Sequence, residues 1–227
     1  MSKAFWGVIA GIVVIFGLVF ALTRNNGNNA NSASSSNGSY NVEGQGKAGV
    51  KLTEYGDFEC PYCEEYYPIV KQVVSDEFSN ITFQFINFPL TSIHPNAFAG
   101  ARAAEAAALM GKFWQMHDAL YTSANWQQWS TSSDPIPYFK QYAQSLGLNI
   151  NTFMSDFNSN KVNSIVEADI AKANKLNLNG TPTFFLDGKQ ISVAPQVSAF
   201  EKLINQAIAN NGKVNNTSSG TTSQTKK

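Results

Sequence analysis

The chain has few of the residues that build covalent or metal cross-links. Its 227 residues include 2 cysteines and 2 histidines, so it can form at most one disulfide of its own. A structural zinc site needs four ligands, but His94 and His117 lie in different predicted segments, away from the cysteines. The sequence therefore predicts no metal site and no metal cofactor.

The chain also lacks an excess of charge of either sign. It carries 16 basic and 16 acidic residues, for a formal net charge of zero, with no basic stripe and no internal repeat. Proteins that bind nucleic acid cluster lysine and arginine on one face to neutralise phosphates. Nucleic acid is therefore not an expected partner.

One long apolar run is present, at residues 5–22 between Lys3 and Arg24. As a helix it would reach about 27 Å, close to a hydrocarbon core of about 30 Å. A cleaved signal peptide is the alternative, although its apolar region is usually about 7 to 15 residues long. We expect residues 1–24 to form a transmembrane anchor or a signal peptide, and either would place the remainder outside the cytoplasm.

Two polar segments border the central part of the chain. Residues 25–48 and 210–227 are rich in asparagine, serine and glycine and have little apolar surface to bury. They are predicted to be a flexible linker and a disordered tail. Residues 49–209 between them have the length of one domain.

The apolar pattern inside this domain predicts an α/β fold. Residues 50–55 and 81–88 alternate as strands, and the helical spacing between them predicts a parallel pair joined by a crossover. Residues 183–186 then turn through Asp187 and Gly188 into a short strand, which predicts a hairpin. Several helices are predicted in between, so the sheet carries a helical insertion at about residues 92–176. These helices are predicted at residues 97–110, 112–121, 137–146 and 161–176.

The two cysteines stand in the sequence CPYC, directly after the first strand and at the start of a predicted helix. A structural disulfide across so short a loop would stabilise the fold by only about 1.9 kcal/mol. At a helix N-terminus, free N–H groups stabilise a thiolate on the first cysteine, and the second lies one turn away. The spacing favours thiol-disulfide exchange, with Cys60 as nucleophile and Cys63 as resolving thiol.

Two other features suit the same chemistry. Glu54 shares a strand face with Val50 and Leu52, and a buried carboxylate there could exchange protons with the thiols. An exposed glutamate at a strand end is the alternative. Pro182 precedes a strand, and a cis peptide bond there would turn the backbone of Thr181 outward to pair with a substrate chain. A trans bond fits the sequence equally well.

Four segments carry a resemblance to a known family. They are EYGDFECPYC, HPNAFAGARAAEAA, GKFWQMHDALY and NGTPTFFLDGK, in this order. Together they resemble the DsbA-like branch of the thioredoxin superfamily, which comprises bacterial extracytoplasmic thiol-disulfide oxidoreductases. The similarity covers about residues 48–209.

This resemblance implies a thioredoxin fold with an inserted helical domain, here preceded by the predicted transmembrane helix. It implies catalysis without a cofactor on exported substrate proteins that contain cysteines. It also implies reoxidation by a membrane partner of the DsbB or vitamin K epoxide reductase type. The residues that it assigns are a redox-active Cys60 and Cys63 around Pro61 and Tyr62, a buried acidic Glu54, and a substrate-binding Thr181 beside a cis Pro182.

The direction of the reaction stays open. The best-known DsbA enzymes carry histidine where this chain has Tyr62, and that histidine makes the disulfide strongly oxidising. The acidic residues nearby disfavour a thiolate as well. We expect an oxidase, with a reductase or isomerase as the alternative and a non-catalytic binding module as a third hypothesis. These acidic residues are Asp57, Glu59, Glu64 and Glu65.

Four other residues invite a functional interpretation. A histidine before proline, or one on an amphipathic helix, is usually a capping or core residue, which is what we expect of His94 and His117. Trp126 and Trp129 could line a peptide-binding surface, but packing of the helical domain is the commoner role.

Overall fold

The computed structural model describes the backbone of residues 38–219 and the side chains up to residue 212. The predicted anchor at residues 1–24 and most of the predicted linker lie outside these residues. Within residues 38–219, no helix is both long enough and apolar enough to cross a membrane.

The strands form one sheet in the order β1-β3-β2-β4-β5. The central strands β2 and β3 are parallel, as the sequence predicts, and the other neighbours are antiparallel. The hairpin between β4 and β5 is confirmed, because Asp187 and Gly188 both adopt positive φ, at 50° and 77°. The strand bounds are β1 Asn41–Glu43, β2 Val50–Gly56, β3 Ile81–Asn87, β4 Thr183–Leu186 and β5 Lys189–Ile191.

Helices cover both faces of the sheet. Val70 and Val73 of α1 and Phe200 of α8 pack on one face, against apolar side chains of β2, β3 and β4. Ala173 of α7 packs on the other face. The helices of the described residues are α1 Pro61–Asp76, α2 Ala97–Leu109, α3 Phe113–Tyr121, α4 Ser123–Trp129, α5 Ile136–Ser145, α6 Ile150–Phe157, α7 Asn160–Lys175 and α8 Val197–Ser219.

The first strand lies within residues 25–48, predicted as a flexible linker, so that prediction fails for the last part of the segment. β1 pairs with β3 along the sheet edge. The side chain of Asn41 donates a hydrogen bond to Glu105, and Ser39 donates to Asp169. The polar composition of this segment does not reveal the strand, because its side chains are held by hydrogen bonds to buried carboxylates that lie far away in the sequence.

The predicted disordered tail, residues 210–227, begins inside a helix. α8 continues to Ser219, so the prediction does not hold for residues 210–219. The amide of Asn211 donates to the backbone carbonyls of Ala48 and Gly49, at 3.4 and 3.3 Å. These contacts hold the helix against the start of β2 where few apolar residues are available.

Two short helices were not predicted, α4 and α6. Each is eight residues or fewer, too short for an apolar period to repeat clearly. α6 carries a capping signal that could have located it, since the side chain of Asn149 accepts a hydrogen bond from the N–H of Thr152 at 3.0 Å.

Candidate active site

The CPYC motif lies where β2 leads into α1. Cys60 is the N-cap residue, with φ −71° and ψ 124°, and Pro61 occupies the first helical position. Both cysteines are free thiols, 3% and 0% exposed. The first cysteine therefore meets the open N–H groups of the helix, and the second lies one turn deeper in the protein.

The two thiols differ strongly in acidity. A hydrogen bond from the Cys63 thiol, aided by the N–H groups of Cys63 and Tyr62, lowers the pKa of Cys60 to about 6, although burial opposes it. Burial raises the pKa of Cys63 well above its ordinary value. At neutral pH the pair is therefore a thiolate at Cys60 and a thiol at Cys63.

The acidic residues around the motif do not prevent this thiolate, because two of them are engaged elsewhere. Asp57 accepts hydrogen bonds from the N–H groups of Glu59 and Leu90, both at 2.8 Å, and lies 2.7 Å from Nδ1 of His94. Glu59 accepts from the N–H of Asn96 at 2.5 Å. Sequence analysis missed this network, in which His94 positions a buried carboxylate beside the motif.

Glu54 lies in the interior beneath the dithiol, 4% exposed. Its neighbours across the sheet are Phe85 on β3 and Phe184 on β4. Burial, with the Cys60 charge as a smaller cause, raises the pKa of Glu54 to about 8. Glu54 therefore carries a proton at neutral pH, and the exposed alternative for this residue is wrong.

The turn before β4 also meets the motif. The Thr181–Pro182 peptide bond is cis. Sγ of Cys60 lies 3.4 Å from the carbonyl oxygen of Thr181, to which the protonated thiol donates a hydrogen bond. The structure thus places the backbone of Thr181 directly beside the more acidic thiol.

The side chains around the motif differ in exposure. Tyr62 is 65% exposed. Trp126 donates from Nε1 to the carbonyl of Phe58 at 2.9 Å, and Trp129 is fully buried. The tryptophans therefore pack the helical domain against the loop that carries the cysteines. Within the described residues, no three His, Cys, Asp or Glu side chains are arranged to hold a metal ion.

A family model described as thioredoxin matches residues 36–206. The chain belongs to the thioredoxin family. This match spans β1, the CPYC motif, the helical insertion, the cis proline and the first part of α8. It includes all the site residues described above.

Solved structures of thioredoxin-family proteins share the fold. A thioredoxin-like oxidoreductase from Silicibacter pomeroyi DSS-3 superposes with a TM-score of 0.61 at 24% identity, over 73% of this chain and 90% of that one. BdbD from Bacillus subtilis gives 0.62 at 21% identity, over 74% and 92%. The α-DsbA1 protein of Wolbachia pipientis gives 0.62 at 20% identity, over 75% and 91%. This chain therefore has the α/β fold of DsbA-like proteins.

Curated relatives match about two thirds to three quarters of this thioredoxin-family chain. The protein named Na(+)/H(+) antiporter NhaA 1 of Mycolicibacterium gilvum is 38% identical over 151 residues, which are 66% of this chain and 23% of that protein. Its namesake in Salinispora arenicola is 34% identical over 168 residues, 74% of this chain and 24% of that protein. This chain spans about a quarter of the length of these relatives. The antiporter activity in their names is thus not carried over to it.

Family membership and the site point to the same residues. The family model covers the whole site, and the two thiols of opposite acidity lie at one helix end.

Proposed function

We propose that this chain forms disulfides in exported proteins, by dithiol-disulfide exchange through Cys60 and Cys63 outside the cytoplasm. The observation that carries the proposal is the lowered pKa of Cys60, about 6. A thiol of low pKa is a good leaving group from a mixed disulfide. The site is therefore suited to release Cys60 and leave the new disulfide on the substrate.

The exchange takes two steps. A substrate thiolate attacks Sγ of Cys60, the Cys60–Cys63 bond breaks, and the Cys63 sulfur takes a proton from Glu54. A second substrate thiolate then attacks the substrate sulfur of the mixed disulfide, and Cys60 leaves as a thiolate. The substrate dithiol loses two electrons and the enzyme disulfide gains them.

The backbone beside Cys60 gives a substrate a place to bind. The carbonyl of Thr181 lies 3.4 Å from Sγ of Cys60 and precedes β4. An extended substrate segment can pair with backbone groups at such a position as an added strand. In this proposal Thr181 and Pro182 hold the segment that carries the attacking thiol.

The remaining parts of the proposal concern location and partners. Residues 1–24 would anchor the enzyme, or direct its export, because their apolar run suits a membrane-spanning helix. The reduced enzyme would pass its electrons to a membrane partner of the DsbB or vitamin K epoxide reductase type. Its substrates would be exported proteins with pairs of cysteines.

A second candidate function is disulfide reduction or isomerisation at the same site. It is favoured by Tyr62, which is largely exposed and adds no positive charge beside the thiolate. Without such a charge the reduced pair gains less stability relative to the disulfide, which makes the disulfide a weaker oxidant.

The reduction potential separates the two functions. The full-length chain is equilibrated with glutathione buffers, and its thiols are quantified by alkylation. We expect a value between about −180 and −120 mV, the range of proteins that donate disulfides. A value of about −250 mV or below would replace the oxidase proposal with the reductase or isomerase.

A further inference from the structure

A pocket connects the buried Glu54 to the protein surface. It has a volume of about 250 Å³ and lies between α1, α3 and the sheet. Its mouth includes the exposed residues Lys71 and Ser75 of α1 and Phe78 just after that helix, and Glu54 lies among its buried walls. A space of this size has room for several water molecules.

The buried side chains of His117 and Tyr121 line this pocket, and their polar atoms have no hydrogen-bond partner among the described residues. Among the described residues, neither ring nitrogen of His117 takes part in a hydrogen bond, and neither does the hydroxyl of Tyr121. The nearest charged atom to Nδ1 of His117 is Oδ1 of Asp118, at 3.5 Å. Buried polar groups almost always have a hydrogen-bond partner. The natural partner of these groups is water in the pocket.

Aromatic rings hold the His117 imidazole in place. Its ring centroid lies 4.9 Å from that of Phe85, 5.0 Å from Tyr121 and 5.3 Å from Trp114. Burial lowers the pKa of His117, so the ring is neutral at physiological pH. A neutral imidazole has one nitrogen that accepts a proton and another that donates one. It can therefore pass a proton on without keeping a charge.

The dithiol chemistry needs such a route for protons. Cys63 is fully buried, so its sulfur gains or loses a proton only through neighbouring groups. Glu54 can supply one proton, but its carboxylate must be protonated again before the next cycle. This pocket joins the Glu54 carboxylate to solvent.

We propose that His117 relays protons between Glu54 and solvent through this pocket. This proposal rests on dithiol exchange at Cys60 and Cys63, whichever direction that exchange takes. When the disulfide is reduced, the Cys63 thiolate takes the proton of Glu54. The Glu54 carboxylate is reprotonated from one nitrogen of His117 through pocket water, and the other nitrogen takes up a proton on the side of Asp118.

Other ionisable groups face the same pocket and determine the electrostatic field around His117. The ammonium of Lys71 and the carboxylate of Asp118 form an ion pair of 2.5 Å at the mouth. Asp118 thereby stays charged close to the imidazole and can attract the incoming proton. The complete set facing the pocket, besides His117, is Glu43 from β1, Glu54 from β2, Tyr67 and Lys71 from α1, and Asp118 and Tyr121 from α3.

The test is the rate at which dithiothreitol reduces the oxidised full-length chain, followed by stopped-flow tryptophan fluorescence at pH 7. His117→Phe keeps an aromatic ring in the cluster but removes both nitrogens, and His117→Ala opens a space the size of an imidazole. We expect both variants to be slowed at least about tenfold, a modest effect for a proton-transfer group. Added imidazole should restore the rate of His117→Ala but not of His117→Phe.

The reduction potential and a packing variant provide the controls. Since a relay changes rates and not equilibria, His117→Phe should keep the reduction potential of the unchanged chain. Val74→Ala alters another wall of the pocket, on α1, without removing an acid or base and should react at the normal rate.

Three results would overturn the relay while leaving the exchange intact. They are an unchanged rate in His117→Phe, equal slowing in Val74→Ala, and a slowed His117→Ala that imidazole does not restore. If the unchanged chain exchanges no faster than an unfolded peptide with the CPYC sequence, the proposed function fails and the relay fails with it.

Discussion

At the scale of single residues, position assigns different roles to two chemically identical thiols. Cys60 lies at the N-cap of α1, where N–H groups and the Cys63 thiol stabilise a thiolate. Cys63 is fully buried, and its sulfur accepts a hydrogen bond from the N–H of Asp57 at 3.5 Å. We therefore expect exchange to begin at Cys60, the more acidic of the two thiols.

This difference predicts distinct behaviour of the two serine variants. Cys60→Ser should have no exchange activity, because the accessible nucleophile is lost. Cys63→Ser should accumulate a mixed disulfide with substrate, because Cys60 reacts but nothing inside the protein displaces the bound chain. Non-reducing gels after incubation with a model substrate that contains a disulfide measure both outcomes, because the Cys60 thiolate forms the mixed disulfide by displacing one substrate sulfur as a thiolate. A stable adduct in Cys60→Ser would reverse the assignment.

At the scale of elements, buried carboxylates on two helices fasten the edge of the sheet. Asp169 of α7 is fully buried and accepts hydrogen bonds from Ser39 and from the side chain of Asn87. Glu105 of α2 accepts from the amides of Asn41 and Asn87, both at 2.7 Å. β1 is therefore held by side chains more than 60 positions away in the sequence.

Removing one of these carboxylates should release the edge strand. Asp169→Ala leaves the buried donors of Ser39 and Asn87 unpaired, at a cost of about 1 to 3 kcal/mol for each group. We expect a lower free energy of unfolding in urea and faster amide hydrogen exchange in residues 39–43. The exposed Glu167→Ala on the same helix is the matched control. Equal stability of the two variants would show that Asp169 does not hold β1.

At the scale of the whole molecule, the site lies where the sheet meets the helical domain. Both cysteines belong to the apolar core formed by the helical insertion, together with Phe58 and Phe85. The helical domain thus buries the same acids and thiols that carry out the chemistry. Because burial shifts the pKa values of these groups, the free energy of unfolding of the whole fold should depend on pH.

Two buried acids set the direction of that dependence. Burial raises the pKa of Glu54 from 4.5 to about 8 and that of Glu105 from 4.5 to about 7. The folded state then binds more protons than the unfolded state between these values, so stability is full below pH 4.5 and falls as the pH rises towards 8. In the oxidised protein, where neither cysteine titrates, the free energy of unfolding should decrease over this range.

Glu54→Gln should flatten the part of this decrease above pH 7, because glutamine stays neutral in both states. Urea denaturation of the oxidised variant and the unchanged chain at pH 5, 7 and 8.5 measures the effect. The exposed Glu167→Gln should leave the pH profile unaltered. A profile in Glu54→Gln as steep as that of the unchanged chain would mean that Glu54 does not carry the extra proton.

Features of the protein that arise from interactions between neighbouring residues could be predicted from the amino-acid sequence. The CPYC motif at a helix start, the parallel pair β2 and β3, and the hairpin at Asp187 follow from local patterns of apolar and turn residues. They were predictable because a helix dipole, an alternating strand and a turn each act over a few residues.

Features that arise from contacts between distant segments became visible in the folded structure alone. It placed Asp57 against His94 and brought His117 into the pocket of Glu54, and it recruited Asn41 into the sheet. Burial raises the pKa of Glu54 and of Cys63, and it exists only once these segments have packed together. For this reason the nucleophile could be located from the sequence, whereas its acidity and its route for protons could not.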